Sequence, residues 1–285
     1  MASLPRCVGS LGAPVTRQAG GRAAAAAPLP PRQQQRATRR RRTASPPPAR
    51  LPAPPRSQPV RVAEAETALD DTYNEQMARQ MGWSEPFSYH FNRGLYFHEV
   101  WPRLLCGTQP RSPAEVEELV RRHGVAAMVN LQQDKDMQHW GVDYGANAAR
   151  AAELGVGIRR PSIIDFSPDS LRHQLPRAVR DVVEAMEEAE ARGGRVYVHC
   201  TAGLGRAPAV CIAYLYWFQQ FDLDDAYARV TQIRPCGPRR DSIRAATADL
   251  MMGREDLDFD RRPGHAFASM NDQDREAVRA RVRRA

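Results

Sequence analysis

Val198-His199-Cys200-Thr201-Ala202-Gly203-Leu204-Gly205-Arg206 is the stretch from which the fold of this chain is read. Residues 195–199 place Val196 and Val198 on one face and read as a strand. Residues 207–219 are apolar nearly all round and read as a buried central helix. A glycine-containing loop joins the two. In such a turn backbone N–H groups converge on one point, and the next helix adds the positive end of its dipole. Gly203 and Gly205 allow positive φ and close approach of backbone to ligand. Pro208 fits the first helical turn, where its missing N–H has no helical partner anyway. Thr201, Ala202, Gly203, Leu204, Gly205 and Arg206 therefore read as an anion cradle sized for phosphate.

Cys200 stands at the mouth of this cradle. The converging N–H groups are expected to lower its pKa below the free value of about 8.5, giving a thiolate nucleophile at neutral pH. Arg206 returns from the first helical turn with a planar fork that grips two phosphate oxygens. This is Cys-x5-Arg chemistry: in-line attack by sulfur, a phosphocysteine intermediate, then hydrolysis. Arginine and amides neutralise the charge, so neither metal nor cofactor is expected. A structural cysteine is the bland alternative, since free cysteines are often small core residues. The preceding His199, the two glycines and the strand–loop–helix context favour the catalytic reading. A dinucleotide loop is excluded by Pro208 at the sixth position of the glycine pattern, and a Walker A loop by the lack of Lys-Ser/Thr.

The leaving alkoxide needs a general acid. Candidates lie in the loop Ile163-Ile164-Asp165-Phe166-Ser167-Pro168-Asp169. Asp165, between apolar neighbours, is the preferred donor. Asp169 reads as a charge at a helix N-terminus.

The rest of the chain alternates strand and helix signals. Ser112-Pro113-Ala114-Glu115 holds an N-cap, a proline at the first helical position and a capping-box glutamate, opening a helix that stops at Gly124. Residues 125–131 read as a strand. Helices are expected over 143–154, 171–192, 223–233 and 240–251. This alternation predicts an α/β fold with helices on both faces of a sheet. Trp217, in the central helix, is expected in the core. Residues 275–284 read as an amphipathic helix with a solvated basic face.

Charge is unevenly distributed. The 285 residues carry 41 Lys+Arg and 33 Asp+Glu, a formal net charge of +8. Residues 1–63 hold 12 arginines, no acidic residue, 12 of the 23 prolines and no aromatic residue. The remainder is mildly acidic, which argues against a nucleic-acid binder. Lys135 is the only lysine. The leader cannot bury a core and reads as a disordered organelle transit peptide. A plain disordered tail and a nuclear signal at 39–42 are the competing readings. The longest apolar run, 210–218, is too short to span a bilayer. The five cysteines form no CxxC pair, and the seven histidines show no metal-ligand spacing, so no metal site is expected.

The wording of the motifs is narrower than the chemistry. Asn130-Leu131-Gln132-Gln133-Asp134-Lys135-Asp136, His139-Trp140-Gly141, Asp165-Phe166, Cys200-Thr201-Ala202-Gly203-Leu204-Gly205-Arg206-Ala207-Pro208-Ala209 and Arg234-Pro235-Cys236-Gly237-Pro238 carry it. From about Tyr73 onward the chain resembles the plant chloroplast glucan phosphatases, the Starch Excess Four and Like Sex Four types. These form a branch of the dual-specificity phosphatases within the protein tyrosine phosphatase superfamily. The resemblance implies a dual-specificity phosphatase fold with a central mixed, mostly parallel sheet flanked by helices. It implies a Cys200 nucleophile, a phosphate-binding Arg206 and an Asp165 general acid acting on phosphorylated starch glucan at C3 or C6 hydroxyls, in the chloroplast stroma or at the starch granule surface.

Ala207 stands where protein phosphatases place Ser or Thr, and the glucan phosphatases share it. Few residues follow Met251, so the likeness is to the short form without a carbohydrate-binding module, which resembles a C3-preferring enzyme. Glucan contacts are then expected from the catalytic domain: Trp140 in an exposed loop, Phe166 beside the acid, and Phe87 and Tyr89 in a recognition segment. Sugar C–H faces stack on such rings. His139 stands where the family has Tyr. Arg160, Phe267 and Asp274 fall where the family has an accessory glucan site. The loop from Arg159-Arg160-Pro161 to Asp165 is one residue longer than the family's usual spacing. The implied organisation is a transit leader at 1–63, a recognition segment at 64–97, the catalytic domain at 98–251, and a C-terminal extension at 252–285 packed on it. A monomer that binds neither nucleic acid nor membrane is expected. A plastid dual-specificity protein phosphatase and a non-catalytic glucan-binding scaffold are the competing functions.

Overall fold

The computed structural model describes residues 59–81, 88–252 and 258–285. Most of the expected leader, and Phe87, lie outside them. The elements in chain order are α1 (Pro59–Met81), β1 (Phe97–Trp101), β2 (Leu104–Gly107), α2 (Pro113–His123), β3 (Val125–Asn130), α3 (Asp134–His139) and α4 (Tyr144–Glu153). Then follow β4 (Gly157–Arg159), α5 (Pro168–Ala191), β5 (Arg195–His199), α6 (Arg206–Phe218), α7 (Leu223–Ile233), α8 (Arg240–Met252) and α9 (Asp272–Val282). The first helix was not foreseen, and it takes in residues 59–63 of the stretch expected to be disordered.

The five strands form one sheet in the order β1-β2-β5-β3-β4. Only β1 runs antiparallel to its neighbour; the other three pairings are parallel. The sheet is therefore mixed and mostly parallel. Side chains alternate between its faces. Val196 and Val198 of β5 face the large core built with α5 and α6, while Tyr197 faces a smaller core with Val116 and Leu119 of α2 and Ala151 of α4. Burial on both faces explains why these strands read as apolar runs. Helix α6 crosses the large core with every residue from Arg206 to Trp217 buried. Trp217 is fully buried there, and its indole N–H donates to Thr247 Oγ1 at 3.0 Å.

Local chemistry sets the helix ends. Ser112 accepts from Glu115 N, and Gly124 closes α2 in the left-handed conformation at φ 66°. The Glu115 carboxylate does not fold back on Ser112. It takes the backbone N–H and the Nε of Arg111, both at 2.7 Å. Asp143 caps α4 through Ala146 N at 2.9 Å.

Helix α9 corrects one expectation. Its basic face is not wholly solvated. Arg275 is buried and donates to Tyr216 O and, at 3.3 Å, to Phe221 O. Arg279 donates to Trp217 O at 2.9 Å and Phe218 O at 3.0 Å. The Tyr216, Trp217 and Phe218 carbonyls lie in the last turn of α6, where carbonyls lack helical partners and cations are favoured at the negative end of the dipole. The two arginines thus anchor α9 on the end of α6. Arg275→Ala is expected to lower unfolding stability by about 2–3 kcal/mol through loss of charge-assisted bonds to buried carbonyls. Arg284→Ala, at an exposed position, should leave it nearly unchanged. Urea denaturation of the two variants checks this.

Candidate active site

The loop after β5 sits among the C-terminal ends of the three central strands. Gln109 N, just beyond β2, donates to Thr201 O at 3.0 Å, and Leu131 N, just beyond β3, donates to His199 O at 3.0 Å. Arg234 holds the loop from behind. This fully buried side chain donates from Nε to Gly203 O at 2.6 Å and from a terminal nitrogen to Ala202 O at 3.1 Å. Gly203 has φ +66°, and a Cβ there would fall 2.4 Å from Gly107 O and 2.5 Å from Arg234. No larger residue fits this turn without moving the loop or its support.

Arg206 faces the front of the loop and is only 4% exposed. One terminal nitrogen donates to Asp136 Oδ2 at 2.6 Å and to Ile163 O at 3.0 Å. The other meets Asp165 Oδ2 at 2.8 Å and Thr201 Oγ1 at 3.2 Å. Its buried Nε–H has no partner among the described residues. Asp165 also accepts from Tyr73 Oη at 3.0 Å and from Phe166 N at 3.1 Å. The carboxylate that was expected among apolar neighbours therefore lies against a guanidinium and a phenol, while Ile164 points largely to solvent. Burial and the Asp165 charge push the Tyr73 hydroxyl far above its ordinary range, so it remains a donor.

Cys200 is 3% exposed. The expected thiolate is not what this environment favours. Burial pushes the thiol up, Arg206 pulls it down, and Asp165 pushes it up again. The N–H of Ala207 lowers it further, but the net direction is upward. Two carboxylates already answer Arg206, which weakens its pull on sulfur. His199 is buried and donates from Nδ1 to Cys200 O at 3.3 Å. Burial lowers its pKa from 6.5 to about 4, so it is neutral at pH 7.

Asp136, Tyr73, Gln132 and Gln109 were not singled out from sequence. Asp136 is at the third position of α3, where its carboxylate also takes the Gln133 N–H in a capping box. Gln132 Nε2 bridges Thr201 Oγ1 at 3.0 Å and Gln109 Oε1 at 2.8 Å, and Gln109 donates to Tyr89 Oη at 2.9 Å. A buried polar chain therefore runs from Arg206 through Thr201 to Tyr89. Asp136 and Gln132 lie in the 130–136 motif that carries the resemblance, but no role was read for either; Gln109 stands in no motif.

The expected sugar platforms divide. Trp140 is 6% exposed and packs among Tyr73, Tyr89 and Phe91, with ring centroids 5.1–5.5 Å away. It does not stand in an exposed loop. Tyr89 is buried in the same cluster. Phe166 is half-buried at φ 59°, tilted against Tyr73. His139 is exposed and set edge-on to Trp140. Phe166, His139, Lys135, Gln76 and Thr201 line an open cleft of about 280 Å³. The space directly over Cys200, under Tyr73 and Met77 of α1, is only about 30 Å³.

Phe267 and Asp274 both neighbour Tyr216, whereas Arg160 lies elsewhere. Arg160 pairs with Asp134 at 2.6 Å and lies over the Tyr144 ring, at the cradle end of the sheet. Phe267 O accepts from Tyr216 Oη near the far end of α6, and Asp274 lies on α9. Asp169 is exposed in the first turn of α5. Among the described residues, no group of three or more His, Cys, Asp or Glu is arranged to hold a metal ion.

Two outcomes follow from these charges. Asp165→Asn should speed alkylation of Cys200 by iodoacetamide at pH 7, because one of the groups raising the thiol pKa is gone. An unchanged rate would show that the carboxylate does not control the thiol. His199 binds its proton less readily folded than unfolded, so its contribution to stability is full above pH 6.5 and is lost as pH falls toward 4. The loss should amount to about 3 kcal/mol at the acid end. Urea titrations from pH 7 to 4 should show a shallower slope in His199→Gln.

The dual specificity phosphatase catalytic domain family matches residues 112–245. The amyloplastic phosphoglucan phosphatase DSP4 of Castanea sativa is 35% identical over 192 residues, covering 67% of this chain and 50% of that protein. The chloroplastic phosphoglucan phosphatase LSF1 of Arabidopsis thaliana is 31% identical, covering 63% of this chain and 29% of that protein. The chain thus spans half or less of the length of these two relatives. Dual specificity phosphatase 28 of Mus musculus is 33% identical over 139 residues, covering 49% of this chain and 74% of that protein. With the Cys200 and Arg206 cradle, the mixed sheet and these likenesses together, the chain belongs to the dual-specificity phosphatase family.

Proposed function

We propose that this chain is a glucan phosphatase that hydrolyses phosphate monoesters on starch-type glucans, in a plastid. The observation that carries the reaction is the convergence of Cys200, Arg206 and Asp165 at one end of the sheet, with a buried Arg206 N–H left without a partner among the described residues. The incoming phosphate takes the place of Asp165 on Arg206, and the loop N–H groups and Arg206 bind its oxygens. Cys200 Sγ, as thiolate, attacks phosphorus in line. An S–P bond forms and the ester O–P bond breaks. Asp165 in its protonated form gives its proton to the departing glucosyl oxygen. It then takes a proton from the water that cleaves the S–P bond, releasing inorganic phosphate and free thiolate.

The glucan substrate is supported by the two phosphoglucan phosphatases among the relatives and by Ala207, the residue that the resemblance implies for the glucan branch at this position. Phe166 and His139, at the cleft beside Asp165, are the proposed sugar contacts. Trp140 and Tyr89 act in this reading as the buried base of that wall. A C3 preference, a location in the stroma or at the granule surface, a monomeric state, and the transit role of residues 1–63 belong to the same proposal. A plastid protein phosphatase is the second reading, favoured by the likeness to dual specificity phosphatase 28.

Phosphate release from solubilised amylopectin, set beside release from a phosphotyrosine peptide, separates the two. Wild type should favour amylopectin, and Cys200→Ser should lose at least about a thousandfold on both, as expected when a nucleophile is removed. Strong release from the peptide with none from amylopectin would overturn the glucan reading. Site-specific labelling of C3 and C6 phosphate reads the position.

A further inference from the structure

A second cleft, of about 510 Å³, opens on the other side of the phosphate loop from Asp165. It shares Ala202 and Leu204 with the space over Cys200, whereas the cleft holding Phe166 and His139 adjoins the loop at Thr201. The cradle therefore lies between two clefts. Anything longer than a single phosphorylated unit must extend into one or both.

Tyr96 lines the second cleft and is 48% exposed, the most exposed of the large apolar side chains among the described residues. Its position is rigid. Tyr96 N donates to Thr108 Oγ1 at 3.0 Å, and Tyr96 O accepts from Thr108 N at 3.1 Å and from Arg234 at 3.2 Å. The Arg234 guanidinium covers the ring at 5.0 Å, and His98 meets it edge-on at 5.0 Å. The same arginine that holds the loop carbonyls thus fixes this ring. Ser88, His90 and Arg93 supply polar groups around the cleft. Its volume lies within the ordinary range for a small-ligand site. A fixed aromatic face with hydroxyl, imidazole and guanidinium groups around it suits a ring that is apolar on its faces and hydroxylated at its edge.

We propose that this cleft is a sugar-binding subsite for the uncharged glucosyl units flanking the phosphorylated one, with Tyr96 as its stacking platform. This rests on the glucan-phosphatase reading. The chain then lies across the phosphate loop, held on one side by Phe166 and on the other by Tyr96. Tyr96 contributes to glucan affinity and to discrimination between long glucans and small phosphate esters, not to bond breaking.

The test uses the full chain with phosphorylated amylopectin and para-nitrophenyl phosphate. Tyr96→Ala should raise KM for amylopectin and lower the ratio of kcat/KM on amylopectin to that on the aryl ester by about threefold to tenfold, the range of an aromatic packing contact. Tyr96→Phe should restore the wild-type ratio. An unchanged ratio in Tyr96→Ala with aryl ester hydrolysis at the wild-type level overturns the subsite while leaving the glucan reading intact. Aryl ester hydrolysis without any release from amylopectin in wild type overturns the glucan reading and the subsite with it. Equal losses on both substrates in Tyr96→Ala would mean damage through Arg234. Ser88→Trp, which obstructs the cleft from an exposed position remote from Arg234 contacts, then decides: a fall in the ratio supports the subsite, and no fall overturns it.

Discussion

A guanidinium buried as deeply as that of Arg206 must have its charge answered, or it would cost several kcal/mol. Asp136 and Asp165 answer it from opposite stretches of chain, and Ile163 O and Thr201 Oγ1 take further N–H groups. Much of the surrounding architecture serves this. The short helix α3 presents Asp136 at a position fixed by its capping box. The loop before α5 presents Asp165 and the Ile163 carbonyl. A second buried arginine, Arg234, draws the Ala202 and Gly203 carbonyls backward. The loop after β5 is therefore clamped between two arginines, one on its carbonyls and one on its open face. Its dipoles are oriented before any substrate arrives, so little reorganisation is left for the reaction itself.

The same arrangement ties the proposed nucleophile to the proposed acid. Cys200 feels the charges of Arg206 and Asp165, and Arg206 feels those of Asp165 and Cys200. With Asp165 on Arg206, sulfur sees less positive charge and burial keeps its proton on. Moving the carboxylate away does two things at once: it frees the arginine for phosphate and makes the thiolate easier to form. Helix α1 adds to this coupling, because Tyr73 donates to the same carboxylate while Met77 and Tyr73 cover the sulfur.

The parts legible in the sequence were those written in contiguous residues. The 198–206 stretch gave strand, cradle and helix because the constraints there are local: a turn that only glycine fits, a proline in the first helical turn, and an all-apolar helix that must be buried. Ser112 and Gly124 marked the ends of α2 for the same reason. What sequence hid was written across long separations. Asp136 meets a guanidinium 70 residues away, and Tyr73 meets a carboxylate 92 residues away. Trp140 looked exposed because its neighbours His139 and Gly141 are polar or small. It is buried because Tyr73, Tyr89 and Phe91 arrive from the segment before the sheet. Arg275 and Arg279 read as solvated because the carbonyls they cap belong to another helix. The thiol shift was misjudged because the loop amides were counted while the burial of the sulfur and the Asp165 charge were not.

Near-exclusive use of arginine gives the surface an unusual chemical property. Lys135 is the only lysine in the chain, and it is exposed at the lip of the cleft that also holds His139 and Phe166. Side-chain amines elsewhere are absent, and guanidinium groups do not acylate under conditions that modify an ε-amine. An amine-directed fluorophore or cross-linker would therefore attach, apart from the chain terminus, at one point beside the cradle. The protein carries a built-in handle for reporting on whatever enters that cleft.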